Sequence, residues 1–376
     1  MRGARLCQHQ SLKHPAMTKH PDTATTIGIL GGGQLGRMLC IAAARLGIDC
    51  HVFEPAPAPP AAAVAARLWT AGYDDIAALT EFAGSVDVVT FEFENIPTSA
   101  LDLLEQYVAI HPSRTALGIS QDRISEKDFL TSLGLRTAPY SAVGDSEDMA
   151  IAIDRIGVPA ILKTRRFGYD GKGQVRIQTA HDGAQALAEL AGAPAVLEGF
   201  VDFDREISVI AARNVAGQVS CFDPGENVHK DGILRTTTVP AQISASQRTD
   251  AILIAAKILN ALDYVGVIGV ELFVTPAGLI VNEIAPRVHN SGHWTQNGCA
   301  VDQFEQHIRA VAGWPLGDGQ RFVNIEMENL IGTELHTVPD HATAGQVAIH
   351  LYGKKDVKPG RKMGHINRIT GPTIKA

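Results

Sequence analysis

The chain is short of several features that would narrow its function. It has five cysteines in 376 residues, Cys7, Cys40, Cys50, Cys221 and Cys299, and none forms a C-x-x-C pair. An odd, scattered set argues against a disulfide framework and for a reducing compartment, so a cytoplasmic protein is expected. No apolar run approaches the roughly 18 residues that would suggest a membrane-spanning helix. A basic surplus is also missing: 33 Lys and Arg stand against 40 Asp and Glu, a formal charge of −7, which argues against broad nucleic-acid binding. No internal repeat occurs, and the one biased stretch is the Pro/Ala segment Pro55 to Pro60. With 45% apolar residues and this length, two or three structural units with ordinary cores are expected without staples.

Residues 1–25 are basic, polar and without an acid before Asp22; they lack the apolar centre of a signal peptide and read as a disordered leader, with Met17 as an alternative start. From Thr26 onward, short apolar strands alternate with helical periods. Expected strands are Thr26 to Leu30, Cys50 to Phe53, Val86 to Phe91 and Ala109 to Pro112. This alternation predicts an α/β fold with a parallel, Rossmann-like sheet over 26–120. A helix is expected from Ser120 to Leu133, then a strand-rich central region over 121–315. It holds strands at 160–164, 174–177, 195–198, 206–212 and 219–222. A long helix over 246–262 and a strand pair, 266–274 and 279–284, follow. A small β-rich unit is expected over 316–376.

Four motifs carry chemistry. Gly31-Gly-Gly-Gln-Leu-Gly36 follows a strand and opens a helix, with Glu54 at the distance of a ribose-binding acid. That pattern suits a dinucleotide, but a helix N-terminus suits any phosphate, so the loop alone leaves both open. Lys163 precedes the loop Gly168-Tyr-Asp-Gly-Lys-Gly-Gln174, whose amides can wrap phosphate oxygens; Lys172 is followed by Gly173, so it is not a P-loop. The bland alternative is a glycine-turned hairpin. Glu271 and Glu283 with Asn282 lie on two apolar strands, which suits Mg²⁺ shared with phosphates unless strand alternation turns them to solvent. Finally, Arg287, His289, Asn290, Ser291 and His293 crowd the segment after those strands. His289 and His293 have zinc-like spacing, but Pro286 and Gly292 oppose the helix such a site needs.

Taken together these stretches resemble the ATP-grasp superfamily, and within it the 5-(carboxyamino)imidazole ribonucleotide synthases. The resemblance rests on Gly31 to Leu39, Thr90-Phe-Glu-Phe-Glu-Asn-Ile-Pro97, Gln121-Asp-Arg123, Gly168 to Gln174, Asn282 to Thr295, Tyr352-Gly-Lys354 and Gly360 to His365. It spans Thr26 to the C-terminus and implies an ATP- and bicarbonate-dependent carboxylation of 5-aminoimidazole ribonucleotide, with ATP and Mg²⁺ required and a homodimer expected.

The resemblance also implies roles. Arg123 and Lys163 contact ATP phosphates beneath a lid of Gly168, Tyr169, Asp170, Gly171, Lys172, Gly173 and Gln174. Glu198, Gly199, Phe200 and Val201 read adenine, Glu206 holds ribose and His229 lies nearby. Glu271 and Glu283 bind the metal, with Asn282 beside them. For the amine substrate the expected residues are Gln34, Leu35, Glu92, Glu94, Asn290 and Ser291, with Lys354, Arg361 and Lys362 on its phosphate. Arg287, His289 and Tyr169 complete the reacting centre. An NAD-dependent oxidoreductase, another ATP-grasp ligase and a non-catalytic nucleotide binder remain as alternatives.

Overall fold

The computed structural model describes residues 25–168 and 171–372, so the leader, all but Thr25, and the lid residues Tyr169 and Asp170 lie outside the described residues. Three sheets organise the chain. The first is parallel: β1 (Thr26–Leu30), β2 (Asp49–Phe53), β3 (Arg67–Trp69), β4 (Val88–Phe91) and β5 (Ala109–Ile110), in spatial order 3-2-1-4-5. All four residues of β4 are buried, as a sheet covered on both faces requires. Order reverses between β1 and β4, the point where such sheets open a crevice at their strand ends.

A four-stranded antiparallel sheet follows, in the order Tyr140–Val143, Ala195–Gly199, Ala160–Thr164, Gln174–Ile177. The third sheet is nine-stranded. Its path runs Gly278–Ala285, Gly266–Thr275, Arg205–Arg213, Gly225–Lys230, Ile233–Val239, Val323–Ile331, Lys362–Pro372, Val347–Leu351, with Val219–Cys221 paired to Arg205–Arg213. Strand alternation sorts this sheet's side chains into two cores. Ile207, Val209 and Ala211 face one, and Ile210 and Ala212 face the other. The helix Ala245–Ala261 covers the first of these with Ala251, Ala255, Ile258 and Leu259, and Ser244 and Gln247 close its N-terminus as a reciprocal cap. A cap of this kind contributes about 1 kcal/mol.

Several expectations need correction. The helix expected from Ser120 to Leu133 runs Arg123–Ser132, starting where the Asp122 side chain caps it by accepting the Ile124 and Ser125 amides, and a separate helix, Arg114–Ser120, precedes it unexpected. The strands of the expected C-terminal β-rich unit join the large sheet, Val323–Ile331 pairing with Ile233–Val239. Strands Arg67–Trp69, Tyr140–Val143, Gly225–Lys230 and Ile233–Val239 were not expected. All four are short or polar, as in Gly-Glu-Asn-Val-His-Lys, and are held by neighbours rather than by their own apolar content.

Candidate active site

The three sheets meet around one cavity of about 830 Å³. Its acids are set by strand register. Glu271 alternates with Val270 and Leu272, which enter the helix-covered core, so it faces the other way. On the partner strand, Val281 and Ile284 both enter that core although they are three residues apart. A register shift reconciles them: Glu271 pairs with Glu283 and Leu272 with Val281, so Asn282 is an extra residue. This bulge turns both Asn282 and Glu283 to the cavity. The two carboxylates thus occupy opposed positions, and solvent-facing alternation does not apply.

Burial, reinforced by Glu283 opposite, pushes the Glu271 carboxyl up to about 7. Burial would raise Glu283 as well, but Arg123 and Lys163 hold it below the usual carboxylate range. The Arg123 guanidinium lies 3.1 Å from Glu283 Oε2. One end of the cavity is apolar: Phe203 and Phe273 stack with centroids 4.5 Å apart, beside Ile161 and Leu234. Between that end and the acids stand Glu206 and His229, whose Oε2 and Nδ1 are 2.6 Å apart across paired strands. Burial disfavours the His229 charge, yet the Glu206 carboxylate raises its proton affinity overall.

At the other end, the first sheet contributes Glu92 and Glu94, just beyond β4. Arg287 reaches Glu94 Oε1 at 2.8 Å. His289 packs over Gly269, where a Cβ would come within 2.8 Å of its own, and its Nε2 lies 3.4 Å from Glu271 Oε1. Burial and the adjacent Arg287 charge depress the His289 pKa strongly, so the ring is neutral near pH 7.

Profiles of known families match along the chain. The ribonucleotide synthetase preATP-grasp domain matches residues 24–121, the ATP-grasp domain residues 128–304, and the phosphoribosylaminoimidazole carboxylase C-terminal domain residues 326–375. The N5-carboxyaminoimidazole ribonucleotide synthase of Brucella melitensis is 54% identical over 353 residues, covering 93% of this chain and 98% of that protein. That of Bacillus subtilis is 41% identical and covers 92% of each. Among solved structures, an ADP complex of an N5-carboxyaminoimidazole ribonucleotide synthetase is similar with TM-score 0.89 and 40% identity, covering 92% of this chain and 93% of that one. The Aspergillus clavatus synthase in complex with ADP and 5-aminoimidazole ribonucleotide gives TM-score 0.88 and 32% identity, covering 93% and 95%. The chain belongs to the N5-carboxyaminoimidazole ribonucleotide synthase family.

Most residues that the synthase resemblance implied line this one cavity. They are Gln34, Leu35, Glu92, Glu94, Arg123, Lys163, Gly168, Gly171, Lys172, Gln174, Glu206, His229, Glu271, Asn282, Glu283, Arg287, His289, Asn290 and Lys362. Gly173 lies between lining neighbours with φ +71°. Others sit elsewhere. The Glu198 carboxylate is buried behind Lys163, 3.0 Å from its Nζ. The amides of Gly199 and Phe200 donate to the carbonyls of Pro139 and Pro159, so these two donors are committed within the protein. Val201 follows them and is not among the lining residues. Ser291 is buried behind His289, with its Oγ at 2.7 Å from Ser208 Oγ and 2.8 Å from His289 Nδ1.

The three expected C-terminal cations are placed differently from one another. Lys354 turns onto the Lys362 carbonyl at 2.7 Å and the Tyr352 ring, and Arg361 donates to the Asp356 carbonyl, so Lys362 alone of the three lines the cavity. Residues the sequence reading did not single out are Glu126, Arg165, Arg166, Phe203 and Phe273. Glu126 stands three residues after Arg123 on one helix face, a spacing that could have suggested it. The zinc alternative finds no support among the described residues: His293 Nδ1 is 3.0 Å from Gln303 Nε2 in a buried contact, and His289 and His293 flank a short 3₁₀ turn.

Proposed function

We propose that this cavity carries out the ATP- and bicarbonate-dependent N-carboxylation of 5-aminoimidazole ribonucleotide, a step of de novo purine synthesis. The observation that carries the reading is the opposed Glu271 and Glu283 pair facing Arg123 and Lys163 in the cavity that also holds Glu92, Glu94 and Arg287. In this reading adenine lies against Phe203 and Phe273 with segment 198–201 beside it, and ribose lies at Glu206 near His229. The phosphates lie at Arg123 and Lys163 under residues 168–174, of which Tyr169 and Asp170 are outside the described residues.

The acid pair fits Mg²⁺ on its own chemistry. Two partly buried carboxylates with one amide oxygen at Asn282 supply hard donors, and burial and then the opposed Glu283 carboxylate raise Glu271's proton affinity. Bound there, the metal would supply charge neutralisation to the phosphates. A bicarbonate oxygen attacks the γ-phosphorus, ADP departs, and carboxyphosphate results. The exocyclic amine of the ribonucleotide then attacks its carbonyl carbon, or CO₂ released from it; phosphate departs and the amine loses a proton. The protein's share is positioning and electrostatics. Gln34, Leu35, Glu92, Glu94, Asn290 and Lys362 border the amine substrate, with Ser291 bracing His289 from behind. Exclusion of water by the glycine loop protects the mixed anhydride.

The division into functional units at 26–120, 121–315 and 316–376 belongs to this reading, as does a cytoplasmic homodimer, which light scattering tests directly. The decisive experiment follows ADP release with each substrate omitted in turn. Full turnover is expected only with both bicarbonate and 5-aminoimidazole ribonucleotide present. Full ADP release without either, or carboxylation without ATP, would overturn the assignment.

A further inference from the structure

Lys127 is a lysine with 1% of its side chain exposed, on the helix Arg123–Ser132 and one turn beyond Arg123. Lysines are almost never so deeply buried without a partner. Its partner is Glu198, whose Oε2 lies 3.3 Å from Lys127 Nζ and 3.0 Å from Lys163 Nζ. Two ammonium groups therefore share one carboxylate oxygen. Lys127 has no access to the cavity, whereas Lys163 is 12% exposed and lines it.

The charge count gives the consequence. With Glu198 shared, the three groups carry one surplus positive charge, and only Lys163 can present it to a ligand. Without Lys127, Glu198 would neutralise Lys163 alone and draw its ammonium down, away from the cavity. We propose that Lys127 is a positioning residue for the nucleotide phosphates: it occupies Glu198 from behind so that Glu198 does not neutralise Lys163 and draw its ammonium from the cavity. The burial of Lys127 supports this. Burial lowers its proton affinity and the Glu198 carboxylate works against that. An apolar side chain of similar size would fill the same space at lower electrostatic cost, so packing does not account for a charge there. Lys127 also adds to the positive field that keeps Glu283 ionised, after Arg123 and Lys163.

The inference rests on reading the cavity as the nucleotide site, so ADP binding to the unmodified protein is measured first by calorimetry. No binding there would sink that reading itself. Given binding, Lys127→Met is expected to weaken ADP about tenfold and raise the KM for ATP similarly, leaving the KM for 5-aminoimidazole ribonucleotide within about twofold. A double-mutant cycle with Lys163→Met should be strongly non-additive, since the second ammonium acts through the first. A packing role would instead lower thermal stability and scale both KM values alike. Unchanged ADP affinity in Lys127→Met, or additivity in the cycle, would refute the role. If the Met variant does not fold, Lys127→Gln is judged on the same constants, since its amide still donates to Glu198 but carries no charge.

Discussion

Two glycine-rich loops open onto one cavity, and they are built for opposite purposes. At Gly31–Gly36 the loop is filled by the protein itself. The Gly33 amide donates to Glu92 Oε1 at 2.7 Å, and the Gly32 amide to Glu54 Oε2 at 2.8 Å. A Cβ at Gly31 or Gly33 would come within 2.8 Å of the Glu92 carboxylate, and one at Gly32 within 2.7 Å of Pro59. Glu92 therefore sits where a phosphate would meet the N-terminus of Gln34–Arg45, and Glu54 is occupied holding the turn rather than free for a ribose. In the second loop the described residues Gly168, Gly171, Lys172 and Gln174 line the cavity. The same residue type admits the protein's own carboxylate in one place and forms the wall of the cavity in the other.

The largest test of this contrast moves the nucleotide's electrostatics. Glu283→Gln should lower kcat on the order of 100-fold while circular dichroism stays native, because one carboxylate leaves a phosphate and metal cluster without disturbing the core. Near-normal turnover at limiting Mg²⁺ would remove the acid pair from the site. Next in size is Gly31→Ala. Gly31 has φ +99°, and a methyl there meets Glu92, so the variant should lose about 2 kcal/mol of stability in urea unfolding. Wild-type stability in this variant would mean that the loop is not packed shut. In the unmodified protein NADH fluorescence should not change on titration; a saturable signal would reopen the dinucleotide reading.

Much of this was legible before the fold was known, and the exceptions have physical causes. Periodicity located β1, β2, β4 and the long helix because their apolar faces are continuous. Motif spacing brought out Lys163, Glu271 and Glu283, and the family resemblance added Arg123. What the sequence could not indicate was orientation. The bulge that turns Asn282 and Glu283 to the same side exists only in the pairing with Gly266–Thr275. The Glu92 plug joins residues 59 apart. Lys354 and Arg361 share a segment with Lys362, and nothing local distinguishes which of the three faces the cavity. Phe203 and Phe273 become a stacked pair only because Arg205–Arg213 and Gly266–Thr275 run side by side.

A smaller effect separates the loops in solution. Amide exchange at Lys172, Gly173 and Gln174 should slow about tenfold on adding ATP and Mg²⁺, because bound phosphates would restrain the loop that borders them. Gly32 and Gly33 should change far less, since their amides already have carboxylate partners. Equal protection of both loops would erase the distinction drawn between them.

The last expected effect, which leaves the cavity untouched, concerns what holds the plugged loop's sheet against the rest. His307, on the helix Gln303–Val311, is buried between two sheets. Its Nδ1 accepts the Val267 amide at 3.0 Å, so the ring proton is on Nε2, which lies 2.7 Å from Thr90 Oγ1 in β4. Burial, with a smaller contribution from His111, pushes its pKa down to about 3. An unfolded histidine titrates near 6.5. Below that pH the unfolded chain binds a proton that the folded chain refuses until about pH 3, so acid favours unfolding across this window and stability rises with pH through it. Above pH 6.5 the group adds no pH dependence. His307→Gln keeps a donor and an acceptor but cannot titrate. The variant should be less stable at pH 7 by about 1–2 kcal/mol from imperfect bonding. Its stability should also fall less steeply between pH 6.5 and 4, by up to about 1.4 kcal/mol per pH unit. Urea unfolding at four pH values measures both. Parallel pH profiles for the two proteins would mean that His307 takes up its proton in the folded state as readily as in the unfolded chain, and that burial and its bond from β4 to the large sheet do not hold it neutral.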